Sequence, residues 1–159
     1  GEVDQTLKAR LGRARALAGS LGSFLGGLLA HLLGRRFCYF LMSVLALGSA
    51  QYIFWTMVPS DPAFITWVGA IGFFSGVYFG WLPLCLPELF VTRVRSTGAG
   101  VSFNFGRVLT VVTILTTATL IDVFGSNYAL IGKVTSLVYA VGMIVAMLVP
   151  MSTGKELRD

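Results

Sequence analysis

The stretch LPELFVTRVRSTGAG (86–100) decides how the sequence is interpreted, because it gathers charges in a chain that has few of them. It places Glu88, Arg93 and Arg95 close together. Residues 63–87 before it are uncharged, and residues 96–121 after it carry Arg107 as their one charge. Charges confined to a short connection between long apolar segments are typical of membrane-spanning helices.

The composition also indicates a membrane protein. Of the 159 residues, 55% are hydrophobic and 12% are charged, whereas a soluble domain carries about 25% charged residues. The 19 glycines suit helices that pack closely in lipid. The net charge of +5 comes from short segments between apolar runs, so we expect the chain to contact a lipid bilayer and not nucleic acid.

Apolar runs long enough to cross a bilayer, which takes about 20 residues, recur along the chain. The sequence therefore predicts an all-α membrane protein with about five transmembrane helices. We expect them at 16–34, 37–58, 63–88, 97–121 and 129–149, within a bundle that covers 16–150. Residues 1–15 are interpreted as a basic outer loop that continues into the first helix, and 151–159 as a cytoplasmic tail.

Basic residues at the predicted helix ends indicate the orientation. Short connections make neighbouring helices antiparallel, so the following residues share one side: Arg35, Arg36, Arg93, Arg95, Lys155 and Arg158. By the positive-inside rule this side and the C-terminus are cytoplasmic, in a plasma or inner membrane. The basic segment 6–17 would then lie outside. Either 16–34 enters the membrane without crossing it, or a basic outer loop is tolerated, and we favour the second.

Two motifs resemble the C-terminal half of a major facilitator superfamily transporter. GGLLAHLLGRR (26–36) is similar to the superfamily's loop pattern G-x-x-x-D-x-x-G-R-R. PELFVTRVRSTGAGVSFNFGR (87–107) is similar to P-E-x-x-P-T-x-x-R-x-x-G, which is frequent in sugar porters and metabolite:proton symporters. Asn104, Gly106 and Arg107 strengthen the similarity to the metabolite-symporter branch. His31 replaces the aspartate of the first pattern, and Val91 replaces the second proline of the second.

The resemblance covers about 16–150 and implies most of one six-helix bundle, the last five helices of a twelve-helix fold. It implies transport of a small solute, an organic acid or a sugar-like metabolite, by alternating access. The chain is then a fragment whose partner is the missing N-terminal half, where we expect any proton-coupling carboxylate. The alternative is a small stand-alone membrane scaffold, or a subunit completed by a separate half.

Charged residues at the inner helix ends predict a cytoplasmic gate formed by Arg35, Arg36, Glu88 and Arg95. Ion pairs among them would hold three helix ends together. An exposed ion pair is worth about 0–1 kcal/mol, so a few of them match the free-energy differences over which two conformers interconvert. The alternative is that the arginines are membrane anchors and Glu88 is a plain helix-end residue.

Arg107 lies about 18 Å beyond Arg95 along a helix, inside the predicted 97–121 span. A charge at such a place normally faces the bundle interior or a water-filled cavity. With Asn104, it is a candidate for binding an anionic solute. The other interpretations are an ion pair with a carboxylate of the missing half, and a structural role nearer the inner interface.

Aromatic residues and glycines of the 63–88 span provide the remaining candidates. Tyr78 and Trp81 lie next to the helix interruption that two prolines predict, and they are candidates for contact with the solute or for packing. Gly72, Gly76 and Gly80 recur on one helix face and predict close helix packing. Alternatively, these glycines line the solute path and leave room in it because they have no side chain.

The sequence does not point to an enzyme. We expect no catalytic residues, no cofactor and no metal site, because His31 is the one histidine and the two cysteines fall in or beside apolar runs.

Overall fold

The computed structural model describes residues 2–123 and 127–148, and all regular secondary structure within them is helical. The predicted all-α class is therefore confirmed. The helices are α1 (Glu2–Leu33), α2 (Arg35–Thr56), α3 (Phe64–Cys85), α4 (Arg95–Val123), α5 (Tyr128–Thr135) and α6 (Val138–Leu148). Two 3₁₀ turns, Pro87–Leu89 and Thr92–Val94, connect α3 to α4. The predicted tail 151–159 lies outside the described residues.

Three stretches of the described chain are long and apolar enough to cross a membrane: Gln5–Leu33, Arg35–Thr56 and Thr92–Thr117. Two shorter apolar helical stretches, Phe64–Gly80 and Ala129–Val145, accompany them. The basic segment near the N-terminus belongs to the same continuous helix as the predicted 16–34 span. The chain is therefore a helical protein whose apolar helices suit a membrane.

Glycine and proline mark the ends of the first three helices. Gly34 separates α1 from α2 with a φ of 82°, a conformation that residues with a side chain rarely adopt. The turn after α2 is closed by Asp61, whose carboxylate accepts a 3.0 Å hydrogen bond from the Val58 N–H. Pro83 lies inside α3, and Pro87 begins the first 3₁₀ turn. α3 ends at Cys85, and Leu86, the residue before Pro87, still has helical dihedral angles, φ −58° and ψ −45°, although proline disfavours them there.

Helices α1 and α3 run parallel, and their backbones touch at glycines; we call this contact the α1–α3 seam. A Cβ at Gly72 would lie 2.5 Å from the carbonyl oxygen of Arg15. A Cβ at Gly76 would lie 2.8 Å from the Cα of Gly19, and one at Gly80 would lie 3.0 Å from a Cα of α1. Any side chain at these positions would force the helices apart, so the seam depends on glycine.

Helices α1, α2 and α3 share a small core. Its buried side chains are Ala30, Cys38, Met42 and Val77. Tyr39 and Tyr78 pack against this core with ring centroids 5.0 Å apart. The core lies towards the Gly34 end of the three helices and fixes the ends of α2 and α3 relative to each other.

The last predicted span, 129–149, is not a single helix, because Ser136 and Leu137 separate α5 from α6. In a continuous helix the Leu137 N–H would bond to the Lys133 carbonyl; it bonds instead to Val134, 3.2 Å away. The side-chain amide of Gln51 donates to the Lys133 carbonyl at 3.1 Å and to the Ser136 hydroxyl at 2.9 Å. The carbonyl that the interruption leaves open is therefore satisfied by this residue of α2 and by the Ser136 hydroxyl, which donates to it at 2.9 Å.

Helix α4 packs against the turns before it and against α5, and most of its surface is exposed. Val101, Phe105 and Leu115 are each more than 60% exposed. Its threonine hydroxyls bond to carbonyls four residues earlier, for example Thr113 to Leu109 and Thr116 to Val112. The helix thus presents apolar side chains and internally satisfied polar groups, which suits lipid or other apolar helices better than water.

Candidate functional site

The structure brings together two of the four predicted gate residues. Arg35 is the first residue of α2, and Glu88 lies in the 3₁₀ turn that follows α3. The Arg35 guanidinium donates from Nη1 to the Oε2 of Glu88 and forms an ion pair with it. Their side chains are 31% and 34% exposed, so water screens the pair in part and limits its contribution to stability.

Arg95 does not join this ion pair, although the sequence predicted it there. Its Nε donates to the Phe90 carbonyl at 3.3 Å, and its Nη2 is buried without a hydrogen-bond partner in the described part of the chain. The Phe90 ring lies against Gly98, where a Cβ would come within 2.5 Å of it. Arg95 therefore holds the connecting turn against the start of α4.

The two departures from the superfamily patterns differ in their structural effect. Val91 has φ −61° and ψ 151°, a conformation that proline also adopts, so a proline would fit the backbone at this position. His31 is exposed in the last turn of α1. Arg36, the fourth predicted gate residue, is also exposed.

Arg107 and Asn104 lie on the exposed surface of α4. The Arg107 guanidinium is 5.0 Å from the centroid of the Phe103 ring, one helical turn earlier. The Asn104 amide donates to the Gly100 carbonyl at 2.9 Å. In the described part of the chain Arg107 forms no ion pair, so its charge faces whatever covers α4.

Tyr78 points towards α2. Its hydroxyl lies 2.9 Å from the hydroxyl of Ser43, and its ring contacts Tyr39. Half-buried among these groups, it is held in the interior of the bundle. The side chain of Trp81, the neighbouring candidate, lies outside the described residues.

Two cavities lie beside α1, and Arg15 lines both of them. The first, which we call the seam cavity, has a volume of about 500 Å³ and runs along the α1–α3 seam past Ser75. The second, the outer cavity, has a volume of about 320 Å³, is partly open, and is lined by residues of α1, α2, α3, α5 and α6. Tyr139 lines the outer cavity, and its hydroxyl lies 3.0 Å from that of Ser75.

Arg15 is not among the candidates that the sequence indicates, because the sequence assigns 1–15 to an outer loop. Its sequence spacing contains a usable signal: Arg15, Gly19, Gly22 and Gly26 follow each other by three or four residues and share one helix face. No group of three or more His, Cys, Asp or Glu side chains suited to a metal ion occurs in residues 2–123 and 127–148.

One known protein is similar in sequence to part of the chain. A cis,cis-muconate transport protein of Acinetobacter baylyi is 34% identical to it over 88 residues, which make up 55% of this chain and 21% of that protein. The chain thus matches about a fifth of that protein's length. No protein-family profile matches the chain, and no solved structure matches it.

Proposed function

We propose that the chain is part of a secondary transporter that carries a small solute, an organic acid or a sugar-like metabolite, by alternating access. The observation that carries this proposal is the ion pair of Arg35 and Glu88, which joins the start of α2 to the turn after α3. Such a pair holds two helix ends together, yet at about 0–1 kcal/mol it opens at little cost. The similarity to a muconate transport protein supports an organic acid as the solute.

We further propose a major facilitator superfamily arrangement in which this chain forms most of one bundle, of the symporter branch, and the other half of the transporter completes it. The exposed apolar surface of α4 supports this, because such a surface suits lipid or neighbouring helices. The positive-inside rule then places the Arg35–Glu88 end and the C-terminus in the cytoplasm.

The gate is tested by cysteine labelling and by uptake of labelled cis,cis-muconate in cells that express the complete transporter. Arg35→Gln and Glu88→Gln should each favour the inward-open state and increase labelling of cysteine probes on the cytoplasmic side. Combining Arg35→Glu with Glu88→Arg should restore part of the wild-type labelling, because the pair is re-formed with its charges exchanged. Arg93→Gln, at a nearby exposed arginine, is the matched control. Wild-type labelling and uptake in both single variants would contradict the gate and would leave Arg35 as a membrane anchor and Glu88 as a plain helix-end residue.

The alternative function, a small stand-alone scaffold or a subunit completed by a separate half, fits the exposed surface of α4 equally well. An antibody against STGKELRD (152–159) distinguishes the two on a denaturing blot of native membranes. A band above twice the 17.1 kDa of this chain supports a longer transporter polypeptide. A band at the mass of the chain supports the alternative.

A further inference from the structure

Arg15 is the last of four basic residues at the start of Gln5–Leu33, a stretch whose remainder is apolar enough to cross a membrane. It reaches both the seam cavity and the outer cavity. Arg15 is exposed, and a charge of a membrane helix that faces a cavity is a candidate for an ion or substrate pathway. In the described part of the chain Arg15 has no carboxylate partner, so its charge is available to a ligand in either cavity.

Residues with hydroxyl groups line the same two cavities as Arg15. Ser75 lines the seam cavity, Tyr139 lines the outer cavity, and the hydrogen bond between them connects the two. Thr135 and Ser136 add two more hydroxyls to the outer cavity. Small-molecule sites of about 300–1,000 Å³ typically combine apolar walls with a few such polar groups, and the volumes of both cavities, about 500 and 320 Å³, fall in this range.

The α1–α3 seam holds the Arg15 stem in place. A Cβ at Gly72 would lie 3.0 Å from the Cγ of Arg15 and 2.5 Å from its carbonyl oxygen. Because Gly72 has no side chain, the Arg15 stem lies directly against α3 before it reaches the cavities. Gly72 is therefore a positioning residue for the guanidinium.

We propose that Arg15 is the anion-binding residue of the solute site and that its guanidinium binds a carboxylate of the solute. A guanidinium forms two parallel hydrogen bonds with a carboxylate, which lysine cannot reproduce. The hydroxyls of Ser75 and Tyr139 are placed to bond to a second polar group of the same solute. This inference rests on the proposed transport function and assigns it a residue that the superfamily-like motifs do not contain.

Binding to the purified complete transporter tests the inference. The probes are cis,cis-muconate and its uncharged dimethyl ester, titrated by calorimetry against wild type, Arg15→Gln and Arg15→Lys. Arg15→Gln should weaken muconate binding about tenfold or more, the loss expected for one hydrogen bond to a charged group, and leave ester binding unchanged. The muconate affinity of Arg15→Lys should lie between those of wild type and Arg15→Gln, because lysine keeps the positive charge but cannot form the two parallel hydrogen bonds. Arg13→Gln, at an exposed arginine that lines neither cavity, should match wild type.

The outcomes separate this inference from the transport proposal. Wild-type affinity for muconate in Arg15→Gln, or a wild-type protein that binds ester and anion equally, overturns the inference. Muconate binding that depends on Arg15, in a transporter that shows no uptake in proteoliposomes, supports the inference and contradicts transport. If Arg15→Gln does not fold, as judged by gel filtration, the affinity of Arg15→Lys decides: an affinity equal to wild type for both probes overturns the assignment.

Discussion

The hydroxyl oxygens of Tyr78 and Ser43 lie 2.9 Å apart and join α3 to α2. Because the Ser43 hydroxyl already donates its proton to the Tyr39 carbonyl at 2.9 Å, the Tyr78 hydroxyl is the donor between them. The polar group of Tyr78 is thus engaged within the bundle, although the sequence offered it as a solute contact.

Tyr78→Phe should therefore lower the free energy of unfolding by about 1 kcal/mol, the typical net worth of one hydrogen bond. It should leave the KM of solute uptake unchanged, since the ring and its contact with Tyr39 remain. Thermal unfolding in detergent and an uptake titration measure the two quantities. Tyr52→Phe, at an exposed tyrosine, is the control. If Tyr78→Phe instead raises the KM and leaves the stability unchanged, Tyr78 contacts the solute.

Gly76→Ala should destabilise the protein, because the new methyl group would collide with the backbone of Gly19 across the α1–α3 seam. Overpacking of this kind costs about 1–3 kcal/mol. Gly48→Ala is the matched control: Gly48 also lies inside a helix, and a Cβ there meets nothing within 4 Å. Alanine should stabilise that position by up to about 1 kcal/mol. Equal melting temperatures for the two variants would contradict the seam.

Val91→Pro should be tolerated and should stabilise the connection between α3 and α4 by about 0.4–1 kcal/mol, because proline restricts the unfolded chain to a conformation that Val91 already has. Phe90 is extended, with φ −114° and ψ 143°, as the residue before a proline prefers. Val94→Pro is the contrasting variant, since the Val94 N–H donates to the Val91 carbonyl at 3.1 Å. Loss of stability in Val91→Pro would show that the turn differs from the superfamily motif.

Gln51→Leu should loosen the junction of α5 and α6, because it removes the side-chain donor to the Lys133 carbonyl and to Ser136. We expect faster amide hydrogen exchange in 128–148 and a loss of about 1 kcal/mol, the typical net worth of a hydrogen bond, because the Lys133 carbonyl keeps its 2.9 Å bond from the Ser136 hydroxyl. Trp55→Phe is the control, since it removes the 2.9 Å bond to the other end of the same side chain, at an exposed position. Slow exchange in both variants would mean that Gln51 does not support the junction.

The sequence predicted the features that depend on neighbouring residues. The helical class followed from the apolar runs, and the interruption after α3 followed from Pro87, whereas Pro83 lies inside α3 and does not end it. The break at Ser136 could not be predicted, because it is stabilised by Gln51, 85 positions away. The placement of Arg15 depends on the register of α1 against α3. The sequence placed Glu88 and Arg35 in one gate, but which of the gate's arginines pairs with Glu88 depends on how helix ends 53 positions apart meet.

The α1–α3 seam also has a mechanical consequence. Two helices whose backbones touch along several turns cannot bend independently, so α1 and α3 act together as a single stiff lever. Arg15 lies at one end of the seam, and beyond its other end α1 and α3 continue through Gly34 and Pro87 to Arg35 and Glu88. A displacement of one end of the lever is therefore transmitted over its whole length, and the bending is concentrated at the two short joints.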